Sequence, residues 1–210
     1  MRMPPLLNIQ SRVRSQLRPI VQRLAAHDIT PAQLGWAALG LSALVGAIIA
    51  VLPAILPQTT GPLLILPAAL LLRLALDAMA EMLADELAPR PPRERLLKET
   101  GEVICDLLLY LPLALIPGVP GGMVVTLVAL GLCTEVAGLA ALSIGASRRR
   151  DGPMGKPDRA IVFGLIGLIL ALDNTAAPWL PWLLIPASLM AVATIGNRIR
   201  AALRACPRID

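Results

Sequence analysis

Arg73-Leu74-Ala75-Leu76-Asp77-Ala78-Met79-Ala80-Glu81-Met82-Leu83-Ala84-Asp85 places four charged residues inside a run that is otherwise apolar. Each charge is four residues from the next, so all four lie on one face of a helix. Glu102 and Asp106 repeat the spacing a short distance downstream. Ionisable groups in apolar spanning segments cost about 2.5–3.5 kcal/mol each on insertion scales, so a chain that keeps them in register needs a partner or a purpose for them.

The surrounding sequence shows that these segments are membrane-spanning. Of 210 residues, 56% are hydrophobic and 16% charged, against about a quarter charged in ordinary soluble domains. Mean hydropathy is +0.72. The apolar mass is Leu, Ala, Ile and Val with 2% aromatics, which leaves no stacking platforms for single-stranded nucleic acid. The net charge of +5 therefore does not point to a nucleic-acid partner. A span needs about 20 largely apolar residues, and six stretches meet or approach this: Gln33 to Leu56, Pro62 to Leu83, Val103 to Val119, Met123 to Ala146, Ala160 to Ala177 and Trp179 to Ile195. The third and fifth are short. Pro- and Gly-rich turns without Lys or Arg join them in pairs at 57–62, 117–122 and 174–178.

Eighteen of the nineteen basic residues fall on the opposite side, before the first stretch, after the second and fourth, and after the sixth. Arg73 is the exception. The positive-inside rule makes that side cytoplasmic. The expected protein is an all-α integral membrane protein of the cytoplasmic (inner) membrane, with six transmembrane helices and both termini inside. Met1 to His27 lacks the apolar core of a cleavable signal. Ile9 to Ala26 alternates apolar residues with Arg and Gln, the pattern of an amphipathic helix lying on anionic headgroups or of a solvated basic tail. The expected division is an N-terminal amphipathic segment at 1–28, a membrane domain at 29–200 and a basic tail at 201–210. Cys105, Cys133 and Cys206 have no ligand-like spacing and imply neither a disulfide framework nor zinc.

Depth arithmetic at about 1.5 Å per residue puts Asp77, Glu81, Glu102, Asp106 and Glu135 in the cytoplasmic half, brought there by three helices. Asp173 also lies within an apolar stretch. Two facing carboxylate ladders could hold divalent cations through oxygen, and the cations a diphosphate. The plainer alternative pairs Arg73 with Asp77 and leaves Glu81, Asp85 and Glu102 in water. Glu135 reads as a buried partner for a basic side chain. Gly152 to Arg159 could take a phosphate at a helix start with Lys156 and Arg159, or be a turn bearing positive-inside charge. Gly131, Gly138 and Gly145 read as close helix packing.

At these residues the chain resembles the CDP-alcohol phosphatidyltransferases, six-helix membrane enzymes that transfer a phosphatidyl group from a CDP-linked lipid to an alcohol. Their signature is Asp, two residues, Asp-Gly, two residues, Ala-Arg, about eight residues, Gly, three residues, Asp, three residues, Asp. It runs without insertion from Asp77 through Ala84 to Glu102, which stands for the last Asp. Ile29 to Leu34, Asp106 to Pro112, Gly152 to Ala160 and Asn197 to Arg200 are also similar, so the likeness covers nearly the whole chain.

The resemblance implies phospholipid biosynthesis, release of CMP, Mg²⁺ or Mn²⁺ as cofactor, membrane lipids and a CDP-linked lipid as partners, and a homodimer. It makes Glu102 the base on the acceptor alcohol. Five of the eight signature positions differ: Ala80 for a metal-binding Asp, Glu81 for Gly, Asp85 for the phosphate-binding Arg, Glu94 for Gly and Lys98 for the third Asp. Lys98 and Asp85 each oppose the charge meant for their position. A rebuilt metal site would use Asp77, Glu81, Glu102 and Asp106, with Lys156 and Arg159 on the phosphate or lipid. The departures imply impaired or altered transfer; the alternative is a silent homologue that binds lipid or stabilises a partner enzyme. A small transporter would call for matched halves, which the sequence does not display.

Overall fold

A computed structural model describes residues 5–55, 61–86, 92–173 and 175–205. Seven α-helices follow in order: α1 Pro5–Ala26, α2 Pro31–Ile55, α3 Ile65–Glu86, α4 Pro92–Tyr110, α5 Gly121–Ala140, α6 Lys156–Leu172 and α7 Pro181–Ala205. Short 3-10 turns at Gly61–Leu64, Leu111–Leu115, Ala141–Ile144 and Ala177–Trp179 join or extend them. Among the described residues there is no strand. Arg90, Asn174, Cys206 and Arg208 lie outside them.

Local chemistry sets the boundaries. Thr30 and Gln33 cap α2 reciprocally, the Thr30 N–H donating to Gln33 Oε1 at 2.8 Å and the Gln33 N–H to Thr30 Oγ1 at 3.3 Å. Pro31 follows at the first helical position, where its missing N–H costs nothing. The third apolar stretch is not one helix. Pro112 cannot donate to the Leu108 carbonyl, so α4 ends at Tyr110 and a 3-10 turn carries the chain on. The freed carbonyl faces Gly46 of α2, where a Cβ would come within 2.0 Å of its oxygen. Only glycine allows α2 and α4 to meet there.

Among the described residues, four segments are long and apolar enough to cross a membrane, Pro31–Leu52, Gly61–Asp85, Gly121–Ile144 and Ala177–Ala205. Helices α4 and α6, with 19 and 17 residues, complete the bundle. α2 packs on α3 and α4, α3 on α6, and α5 on α7. Ile49, Leu66, Leu109, Leu127, Phe163 and Leu184 are buried along the shared seam, while Leu71, Leu172, Trp182 and Leu203 face outward. Outward-facing leucines on every side suit a lipid solvent, in which apolar exposure carries no hydrophobic penalty. Tyr110 stacks on Phe163 with ring centroids 4.0 Å apart, bridging α4 and α6. Helix α1 lies across the end of α3, with Val21 buried against Leu34, Met79, Ala80 and Leu83.

One intramembrane assignment is corrected. Asp173 follows the last turn of α6 and is exposed, accepting from the Thr175 N–H at 2.8 Å and hydroxyl at 2.6 Å. These two donors hold its carboxyl below the ordinary range.

Candidate functional site

The i, i+4 register of α3 carries Asp77 and Glu81 along the face turned to α4 and α6, and α4 presents Lys98 and Glu102 one turn apart. The start of α6 is fixed by Asp158, which accepts the Gly155 N–H at 2.8 Å. That turn aims Lys156 at both carboxylate ladders. Its Nζ is 2.6 Å from Asp77 Oδ2 and 3.3 Å from Glu102 Oε2. Lys98 Nζ is 3.0 Å from Glu81 Oε1 and 3.7 Å from Glu102 Oε1. Asp77, Glu81 and Glu102 thus share one cluster with two ammonium groups, and the glycine-rich loop faces the carboxylates.

Asp106 does not join that cluster. It accepts from Arg73 at 2.5 Å and from Arg159 at 3.0 Å, so the local Arg73–Asp77 pair considered from spacing gives way to a pair between helices. Arg73 also donates to the Glu102 carbonyl at 3.0 Å, which ties the two groups together. Arg159, 2% exposed, donates further to Glu135 at 3.1 Å and to the Thr134 hydroxyl at 2.9 Å. Glu135 additionally receives Arg148 at 3.2 Å and Arg198 at 3.6 Å. Arg148 reaches on to Glu99, and Arg198 to the Thr134 carbonyl.

The other signature positions scatter. Ala80 is buried beneath α1. Asp85 is at the rim, with Arg14 of α1 3.9 Å away. Glu94 lines an apolar pocket of about 160 Å³ between α2, α3 and α4, together with Pro31, Gly35, Trp36 and Leu97. Asp77, Lys98 and Glu102 also line that pocket. A second, polar cavity of about 400 Å³ opens beside it, lined by Arg14, Glu81, Asp85, Arg95, Lys98 and Arg150. Lys98 borders both.

Reasoning from sequence missed Glu99, Thr134, Arg148 and Arg198. Glu99, Glu102 and Asp106 are i, i+3 and i+7, one face of α4, and that signal was present. Arg148 and Arg198 read as rim charge because each directly follows an apolar stretch. The glycines at sevenfold spacing also prove more specific than helix packing. A Cβ on Gly131 would come within 2.9 Å of Arg159 Cδ, and one on Gly138 within 2.6 Å of the Arg149 carbonyl oxygen and 3.1 Å of Arg198. Two of the three make room for arginines, and Gly145 closes a helix end in the left-handed region at φ 75°.

The donor set does not fit the metal site expected from the resemblance. Among the described residues no three His, Cys, Asp or Glu side chains are grouped to hold an ion. The reason is chemical: each of Asp77, Glu81, Glu102 and Asp106 already lies against a lysine or arginine.

The fold is shared with a solved phosphatidylinositol phosphate synthase. The crystal structure of phosphatidylinositol phosphate synthase (PgsA1) of Mycobacterium tuberculosis with CDP-DAG bound superposes with a TM-score of 0.70 over 91% of this chain and 96% of that one, at 17% identity. No family model matches the sequence. Inner membrane protein YnbA of Escherichia coli (strain K12) is 36% identical over 198 residues, 94% of this chain and 96% of that protein. The chain belongs to the family of that inner membrane protein, and it is a membrane protein.

Proposed function

We propose that the chain serves phospholipid biosynthesis as a six-span phosphatidyltransferase-like protein that takes up a CDP-linked lipid and transfers its phosphatidyl group poorly. The observation carrying this reading is the position of Lys98, between an apolar pocket that suits an acyl chain and a polar cavity that suits a charged headgroup. An amphiphile is the ligand class such a junction serves. Glu102, the base in the resemblance, has each of its carboxylate oxygens turned to an ammonium group, Oε1 to Lys98 and Oε2 to Lys156, rather than to an acceptor alcohol. Lys156 and Arg159 are cations already spent on carboxylates. A homodimer belongs to the same reading and rests on the resemblance alone.

The test is CDP-diacylglycerol retention by the purified protein in nanodiscs, with CMP release measured across a panel of alcohols. Retained lipid with release at least about 100-fold below that of an enzyme bearing the full signature is expected. No retention, or robust release abolished by Asp77→Ala and Glu102→Ala, overturns the reading. Retention with release at background favours the silent homologue, a reading supported by the six carboxylates of the two charge clusters lying against six cations.

The same proposal places both termini in the cytoplasm. In a cysteine-free background, thiols introduced at Gly122 and Thr175 are expected to label from outside the cell, and thiols at Arg18 and Arg204 only after permeabilisation. Outside labelling at Arg204 contradicts the orientation.

A further inference from the structure

We infer that Lys98 and Lys156 are the resident cations of the carboxylate cluster, standing in for divalent metal, so that this site receives a lipid phosphate without a metal ion. The ligand in this statement rests on the function proposed above; the cation replacement does not. Lys98 sits one helical turn before Glu102 on α4 and bridges it to Glu81 on α3, while Lys156 bridges Glu102 to Asp77 from α6. Three carboxylates therefore meet two fixed ammonium groups. Beyond them, Asp106, Glu135 and Glu99 meet Arg73, Arg159, Arg148 and Arg198.

Three carboxylates against two ammonium groups leave a surplus of one negative charge in this cluster, whereas a site for two divalent ions needs several uncommitted negative oxygen ligands. A divalent ion entering here would face both ammonium groups at close range, with each carboxylate already in contact with one of them, and like charge in a partly buried site is screened only weakly by salt. Neither lysine can leave: each is covalently part of a packed helix. Lys98 remains able to turn toward an anion. Lys98 borders the polar cavity, and an ammonium offers three donors, of which its carboxylate contacts use only two.

Mn²⁺ is the probe, followed by electron paramagnetic resonance on the full chain in nanodiscs of neutral phosphatidylcholine. The unmodified protein is expected to show no saturable Mn²⁺ binding tighter than about 1 mM. The Lys98→Gln/Lys156→Gln variant is expected to gain a site at least about tenfold tighter than that, since it frees Asp77, Glu81 and Glu102. Saturable Mn²⁺ on the unmodified protein, lost in Glu102→Gln, overturns the inference, and this measurement needs no lysine variant to fold. A folded double variant that gains no Mn²⁺ also overturns it.

CDP-diacylglycerol retention on the same nanodiscs separates the two claims. Equal retention in EDTA and in Mn²⁺ supports both. Retention only in Mn²⁺ overturns the metal-free site and leaves the proposed function. No retention in either medium overturns the proposed function, while the Mn²⁺ result decides the cation replacement alone.

Discussion

Arg159→Ala is expected to lower the stability of the purified protein by about 3–5 kcal/mol, the usual cost of removing one partner from a buried ion pair. The guanidinium is 2% exposed and serves three acceptors on two helices: Asp106 of α4, and Thr134 and Glu135 of α5. Its removal leaves Asp106 with Arg73 alone and vacates the channel that Gly131 keeps open for its stem. Arg159→Lys should recover only part of the loss, because one ammonium cannot serve the acceptors that a planar fork of five donors reaches. The measurement is the temperature at which the detergent-solubilised protein loses its monodisperse peak. Arg14→Ala, at an exposed contact of 3.9 Å, is the control and should change stability by about 0.5 kcal/mol or less. Equal melting of Arg159→Ala and the unmodified protein would show that the arginine network is not what joins α4, α5 and α6.

The weight of that arginine explains which parts of the molecule could be read from sequence. Hydropathy and turn chemistry located α2 and α3 to within three residues at each end, because lipid enforces long apolar runs and loops enforce Pro and Gly, but missed the C-terminal ends of α5 and α7 by six and ten residues. They failed at 103–119, where a single proline ends α4 although hydropathy continues unbroken. Helical spacing put Asp77 and Glu81 on one face, since i, i+4 is a local property of one helix, and depth arithmetic brought Glu102 of α4 to the same level. The partner of each carboxylate was not legible. Arg73 has Asp77 one turn away and bonds instead to Asp106, 33 residues on, because packing of α3 against α4 decides the choice and spacing within α3 does not. Asp106 was misplaced for the same reason. Lys156, read from a loop that could have been a plain turn, reaches the carboxylates only because Asp158 caps α6 and sets its first turn.

The signature departures now have physical content, and they lead to the second large expected effect. Restoring Ala80→Asp, Glu81→Gly, Asp85→Arg, Glu94→Gly and Lys98→Asp together is expected to raise CMP release from CDP-diacylglycerol by about 100-fold or more, the scale on which preorganised charge acts on a transferring group. Lys98→Asp alone should not do so. It strips Glu81 and Glu102 of their shared ammonium and adds a further negative charge beside them, with no arginine at position 85 to answer it. Ala80→Asp alone buries a carboxylate under α1, next to Val21, Met79 and Leu83, where it is costly until its neighbours change. Glu81→Gly removes the other end of the Lys98 bridge, so it is neutral only in company with Lys98→Asp. The five positions act as a unit, and effects within such a unit are not additive. Two glycines inside helices cost about 1 kcal/mol each, so the fivefold variant must be compared at equal folded fraction. Its Mn²⁺ binding, read on the same nanodiscs, should appear together with the activity. A folded fivefold variant that binds Mn²⁺ yet releases CMP no faster than the unmodified chain would show that these five positions are not what limits release.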